Sequence, residues 1–237
     1  SYNYTTIRSC NIVQADLGTD NSNAYGVYIF KNSSNNNIYN NTIKIEGDSS
    51  YGVFLSQEVY SSNVYSNIIK TSTLGTIRGI GLQNTAYSNS IYSNNITTSG
   101  LTGDGIYSEI NVYNNNVYSN NITTSGTAAD GVELITSGYN NSVYSNIITT
   151  SEGSSDGVIL NGASLISNNV YSNVITISGG ASTAFGVSLI STYNNSIYSN
   201  NITTTGTDGY GVRLQLTSYN NSVYGNNITT SGSGGYG

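Results

Sequence analysis

One phrase, Asn-x-Ile/Val-Tyr-x-Asn-x-Ile, recurs along this chain centred on Ile38, Val64, Ile91, Val117, Val143, Val170, Ile197 and Val223, always 26 or 27 residues apart, with a degenerate copy at Ile7. A fixed period of this size means that each unit buries its apolar face only against its neighbours, so the chain reads as a solenoid with one unit per coil. Three short apolar alternations occupy each unit. The first is Gly-Val-x-Leu, as in Gly52-Val53-Phe54-Leu55, Gly131-Val132-Glu133-Leu134 and Gly157-Val158-Ile159-Leu160; the second is the central phrase; the third starts five residues later, at Ile43, Ile69, Ile96, Ile122, Ile148, Ile175, Ile202 and Ile228. Period-two alternation marks strands with one buried face.

Composition removes several alternatives. Charged residues are only 8% of the 237, yet 22 tyrosines and regularly placed Ile and Val argue against disorder, and the absence of Pro suits unbroken ladders. The net charge of −6, with five of the six cations in the first 78 residues, removes the electrostatic term that nucleic-acid binding needs. No apolar run is long enough to span a bilayer, so membrane insertion is not expected. The lone Cys10 and the lack of His and Met leave no transition-metal site of the usual ligand types, and no cofactor is expected.

Three strands per coil, short corners and no helical periodicity predict an all-β, right-handed parallel β-helix of about nine coils, since parallel crossovers are right-handed. The whole of 1–237 reads as a single domain, with 1–37 a modified, longer first coil carrying an insertion around Asp16 to Asn23, and 38–237 regular coils without a C-terminal cap. The expected core of the corners is a ladder of amides at Asn41, Asn67, Asn94, Asn120, Asn146, Asn173, Asn200 and Asn226, and a second run from Asn36 to Asn221 has Ser62 as its one substitute. Asn tolerates left-handed backbone angles and its amide can bond to the same amide one coil away.

The phrase resembles the parallel β-helix repeat of the pectate-lyase-like superfamily, and in style the Asn/Thr/Tyr-rich surface and adhesin-like proteins of archaea and bacteria. The resemblance covers almost the whole chain and implies a fold more than a function, because relatives of this kind include lyases, hydrolases, tailspikes and structural surface proteins. It also implies that a catalytic site would sit on the outer surface as clustered Asp with Lys, Arg or His. Asp104, Asp130 and Asp156, each just before the Gly of a first strand, form a column that could hold Ca²⁺. Asp-Gly is also ordinary turn chemistry, and those three coils carry no cation. The sequence therefore assigns no catalytic, cofactor or metal residue.

Outward tyrosines at Tyr39, Tyr65, Tyr92, Tyr118, Tyr144, Tyr171, Tyr198 and Tyr224 form an expected interaction stripe, and a second column runs Tyr60, Tyr87, Tyr113, Tyr139, Tyr193 and Tyr219 with a break at Ile166. Large rigid rings with a hydroxyl suit protein packing and sugar stacking alike. Candidate glycosylation sequons begin at Asn3, Asn32, Asn40, Asn95, Asn121, Asn140, Asn194, Asn201, Asn220 and Asn227. The chain enters at a second strand and stops where a first strand should begin, which predicts open edges that pair head to tail with further copies. The expectation is a non-enzymatic, extracellular or cell-surface structural protein, the subunit of a filament or sheath or the stalk of an adhesin, with itself and cell-surface glycans as partners. The alternative is a polysaccharide-binding or polysaccharide-degrading β-helix protein.

Overall fold

Alternation sends the same two side chains of every strand inward, and coil after coil these fill one continuous shaft. A computed structural model describes residues 4–14, 24–47, 49–71, 75–179 and 183–237; the Asp16–Asn23 insertion and the Asn3 sequon lie outside them. Among the described residues every strand pairing is parallel and there is no helix, so none is long and apolar enough to cross a membrane.

Three sheets run along the axis. The central-phrase sheet stacks nine strands from Thr6–Arg8 to Ser222–Tyr224, and the Ile-Thr sheet stacks nine from Asn11–Gln14 to Asn227–Thr230. The Gly-Val-x-Leu sheet stacks eight in line from Tyr25–Phe30 to Val212–Gln215, with Val112–Tyr113 added against Val132–Tyr139. Equivalent residues pair in register, as in Ile91 with Val117 and Ile96 with Ile122. Ile38, Val64, Ile91, Ile43, Ile69, Leu55 and Leu82 are fully buried. Each such side chain contributes on the order of 1.5–3 kcal/mol of burial, which a chain this polar needs. The Gly of the first strand is required by close approach: a Cβ on Gly105 would stand 2.6 Å from the Gly131 carbonyl oxygen and collide with an Ile122 methyl.

Both amide ladders are hydrogen-bonded end to end. Asn120 Oδ1 accepts from the backbone N–H and the Nδ2 of Asn94, each at 3.0 Å, while its own Nδ2 donates to Asn146 Oδ1 at 3.0 Å and to the Ile91 carbonyl at 2.9 Å. The same pattern links Asn41, Asn67, Asn94, Asn146, Asn173, Asn200 and Asn226. The expectation that ladder Asn residues take left-handed angles is corrected by the backbone. The left-handed residue is the one before each ladder position, Asn40, Ser66, Ser93, Ser119, Ser145, Ser172 and Ser199 at φ 54–55°, followed by Gly225 at φ 63°. Turning the chain one residue early aims the ladder amide inward, where it can meet its neighbours.

Candidate functional site

Among the described residues, the outer face of the Gly-Val-x-Leu sheet brings carboxyl groups, an arginine and aromatic rings together. Register places the outward residues in columns. One runs Phe54, Gly81, Tyr107, Glu133, Ile159, Ser188 and Arg213, and the next runs Ser56, Gln83, Glu109 and Ile135. Beside them lies the column of Tyr51, Arg78, Asp104, Asp130 and Asp156 at the strand entrances.

The corners feeding those entrances are pinned from inside. Thr124 and Thr150, inward at the ends of their strands, donate to the carbonyls of Ala129 and Ser155, the residues just before Asp130 and Asp156. The three aspartates then act as backbone acceptors for the following coil. Asp104 Oδ1 takes the Asp130 N–H at 3.0 Å, Asp130 Oδ1 the Asp156 N–H at 2.5 Å, and Asp156 Oδ1 the Phe185 N–H at 2.8 Å. Unlike an amide, a carboxylate brings a charge, and Asp104 is only 2% exposed.

Asp104 is neutralised by Arg78, one coil earlier, whose Nε donates to Asp104 Oδ2 at 2.8 Å. That guanidinium lies 3.6 Å from the centre of the Tyr107 ring and donates to the Tyr51 hydroxyl at 3.1 Å. Tyr51 reaches it because Gly81 has no side chain; a Cβ there would meet the Tyr51 ring at 2.5 Å. Gln83 donates to both Tyr51 and Glu109, and Tyr107 hydrogen-bonds Glu109. The three Asp coils carry no cation of their own, and the neighbouring coil supplies one across the 26-residue register.

Glu133 completes the group. One carboxylate oxygen each of Asp104, Asp130 and Glu133 lie within 4.8 Å of one another, whereas Asp156 is not in this set. Burial, then the charge of Asp104 and a hydrogen bond to it, push the Glu133 carboxyl up to about 8, so it is the donor to Asp104. Burial also pushes Asp156 up to about 7. Asp130 rises well above the ordinary carboxylate range, first through burial and then through the charges of Asp156 and Asp104. Three oxygens at this separation are a donor set of hard-cation type, although Arg78 already neutralises one member. Glu133 was missed as a functional residue because its coil was read for Val132 and Leu134. The signal was available, since an outward Glu at the x position follows by three residues an Asp of the neighbouring column, Asp130.

Aromatic rings flank the acidic patch along the axis. On one side Tyr25, Tyr28 and Tyr51 stack on Phe54 with centroids 4.4–5.3 Å away, and Tyr28 and Phe30 remain 39% and 47% exposed. On the other, Phe185 stacks on Tyr210 at 5.4 Å with Arg213 over its face.

Elsewhere the first Tyr column forms one continuous stack, with centroids 4.8–5.1 Å apart from Tyr39 to Tyr224, and the second forms two stacks, Tyr60 to Tyr139 and Tyr193 with Tyr219, on either side of Ile166. Ring faces inside a stack are consumed by each other, so these columns present edges and hydroxyls, not sugar-stacking platforms. The described sequon residues Asn32, Asn40, Asn95, Asn121, Asn140, Asn194, Asn201, Asn220 and Asn227 are all exposed.

No family model and no curated protein sequence matches this chain. Solved structures do. A DFA-IIIase from Arthrobacter chlorophenolicus A6, in complex with GF2, aligns over 87% of this chain and 55% of its own at 14% identity and a TM-score of 0.63. Its complex with DFA-III gives 0.64 over 85% and 52%, and a double mutant of the periplasmic alginate epimerase AlgG gives 0.59 over 86% and 47%, both at 14% identity. These matches show the fold, a right-handed parallel β-helix. The chain spans about half the length of these structures. They also correct the functional expectation. The sequence was read as a non-enzymatic filament, sheath or adhesin-stalk subunit, whereas the solved β-helices that match are enzymes acting on carbohydrates. The uniformity of the repeat suggested a purely structural rod because the departures from it, at Arg78, Tyr107, Glu109 and Glu133, are single residues that only the register brings together.

Proposed function

We propose that this chain processes a glycan on the outer face of its Gly-Val-x-Leu sheet, by acid–base cleavage of a glycosidic bond. The observation that carries this reading is the convergence of Asp104, Asp130 and Glu133 within 4.8 Å beside Arg78, with the Glu133 carboxyl held protonated to about pH 8. A carboxylic acid that keeps its proton at neutral pH is what protonation of a leaving glycosidic oxygen requires. Glu133 is the assigned acid. Glu109 is the assigned base, partly exposed on the adjacent column, one coil and two strand positions away, or roughly 8 Å between Cα atoms. Glu133 gives its proton to the leaving oxygen, the bond from that oxygen to the anomeric carbon breaks, and a water that loses its proton to Glu109 adds to that carbon. Asp104 and Arg78 position Glu133 and spread the charge.

Phe30, 47% exposed and stacked on Tyr28 at 4.9 Å, ends the aromatic stack and offers its other face as a sugar-stacking subsite on the flank. Asp104, Asp130, Asp156, Glu109 and Glu133, several of them holding protons at neutral pH, offset Arg78 and Arg213 and leave no surplus of positive charge to bind a polyuronate, so a neutral glycan is preferred. The setting is extracellular or cell-surface, consistent with glycans as partners and with a periplasmic enzyme among the structures of like fold. The test is release of reducing ends from a panel of neutral and acidic glycans. Wild type should cleave a neutral member, with Glu133→Gln and Glu109→Gln each reducing the rate at least about 100-fold. Equal rates for wild type and both variants would sink the assignment.

A further inference from the structure

The second Tyr column is broken at one coil, and the break has the dimensions of a missing ring. Tyr60, Tyr87, Tyr113 and Tyr139 stack at 4.8–4.9 Å, and Tyr193 stacks on Tyr219 at 5.0 Å with planes only 3° apart. Between Tyr139 and Tyr193, in strict register with both, stands Ile166. The walls are therefore two coil spacings apart, roughly 9.6 Å, and everywhere else in the column that interval holds one phenol ring. Ile ends about where the ring of a Tyr begins to project, so the outer part of the interval is open. Tyr139 is 42% exposed, whereas Tyr87 and Tyr113, with a ring on either side, are half-buried.

We propose that Tyr139 and Tyr193 form a clamp that takes one flat, uncharged aromatic ring edge-on over Ile166. The flanking corner residues Asn140, Ser167 and Asn194 are exposed and uncharged, so the surroundings offer hydrogen bonds and no ion pair. Stacking between two parallel faces selects a planar ring, since the interval is set by ring-on-ring contact, and a saturated chair is thicker. The ring can belong to a free phenol or to a tyrosine side chain of a peptide. The site is independent of the acidic patch and of the glycan reading, because Tyr139 and Ile166 close their strands, Val132–Tyr139 and Val158–Ile166, at the end opposite the aspartates at the strand entrances.

The experiment is NMR of the protein with ring-labelled tyrosine, resonances of the two walls being assigned from Tyr139→Phe and Tyr193→Phe. Titration with p-cresol should shift both wall resonances together and saturably, and a short Tyr-containing peptide should do the same if the natural ring is a side chain. Ile166→Tyr fills the interval from within and should abolish the shifts, while Ile166→Ala should bind at least as tightly as wild type. The proposal is overturned if p-cresol leaves both resonances unmoved, if Ile166→Tyr binds as wild type does, or if cyclohexanol binds as tightly as p-cresol.

Discussion

Asn120 and Asp130 perform the same backbone task in opposite ways. Each accepts a main-chain N–H from an adjacent coil, Asn120 from Asn94 and Asp130 from Asp156. Asn120 also donates, to Ile91 and Asn146, so its polar atoms are paired within a neutral column. A carboxylate cannot donate, and stacking three of them leaves buried charge that has to be protonated or paired. The amide column uses its hydrogen bonds for rigidity, and the carboxylate column, making a like bond at a different corner, gathers titratable groups. Four predictions bear on that contrast.

The largest effect is expected from making one column resemble the other. Asn120→Asp places an unpaired carboxylate among amides and removes two donated bonds, which should cost about 3–5 kcal/mol at neutral pH by denaturant unfolding. The loss should shrink in acid, where the new carboxyl takes a proton and can donate. A cost below about 1 kcal/mol at neutral pH would mean the ladder is not a closed network. Arg78→Ala strands Asp104 beside Asp130 and Glu133 and should cost about 3 kcal/mol, again recovered in acid.

A subtler difference appears in the pH profile of stability. Glu133, raised from an ordinary glutamate to about 8, and Asp156, raised to about 7, bind protons more tightly folded than unfolded. Stability is therefore fully present below about pH 4 and falls as the pH rises through the window up to about 8. Glu133→Gln should flatten the upper part of that slope, whereas an unchanged slope would show that Glu133 titrates normally. The smallest effect belongs to the surface. Tyr118→Leu removes one ring between Tyr92 and Tyr144 and should lower stability by about 0.5–1.5 kcal/mol in thermal melts, without altering the pH profile.

The fold was legible because it is written many times over. Ile38, Asn41 and Tyr39 have counterparts in every later coil, and each copy repeats the evidence of the others. The site was not legible for the complementary reason. Arg78, Glu109 and Glu133 each occur once in their columns, and nothing local in the sequence joins residues 26 positions apart. Laying the coils in register sets Arg78 in one column with Asp104, but it does not give burial, which is what turns Glu133 from a solvated surface acid into one that keeps its proton. The Tyr columns were legible as positions, and the structure adds that each ring covers the next at about the coil spacing.

The central claim rests on the protonation of one side chain, and that is directly measurable. Carboxyl carbon NMR of the protein labelled at glutamate, with Glu133 assigned by Glu133→Gln, should give a midpoint near pH 8 for this residue. A midpoint within the ordinary glutamate range, about 4 to 5, would contradict the account and remove the proton donor on which it depends.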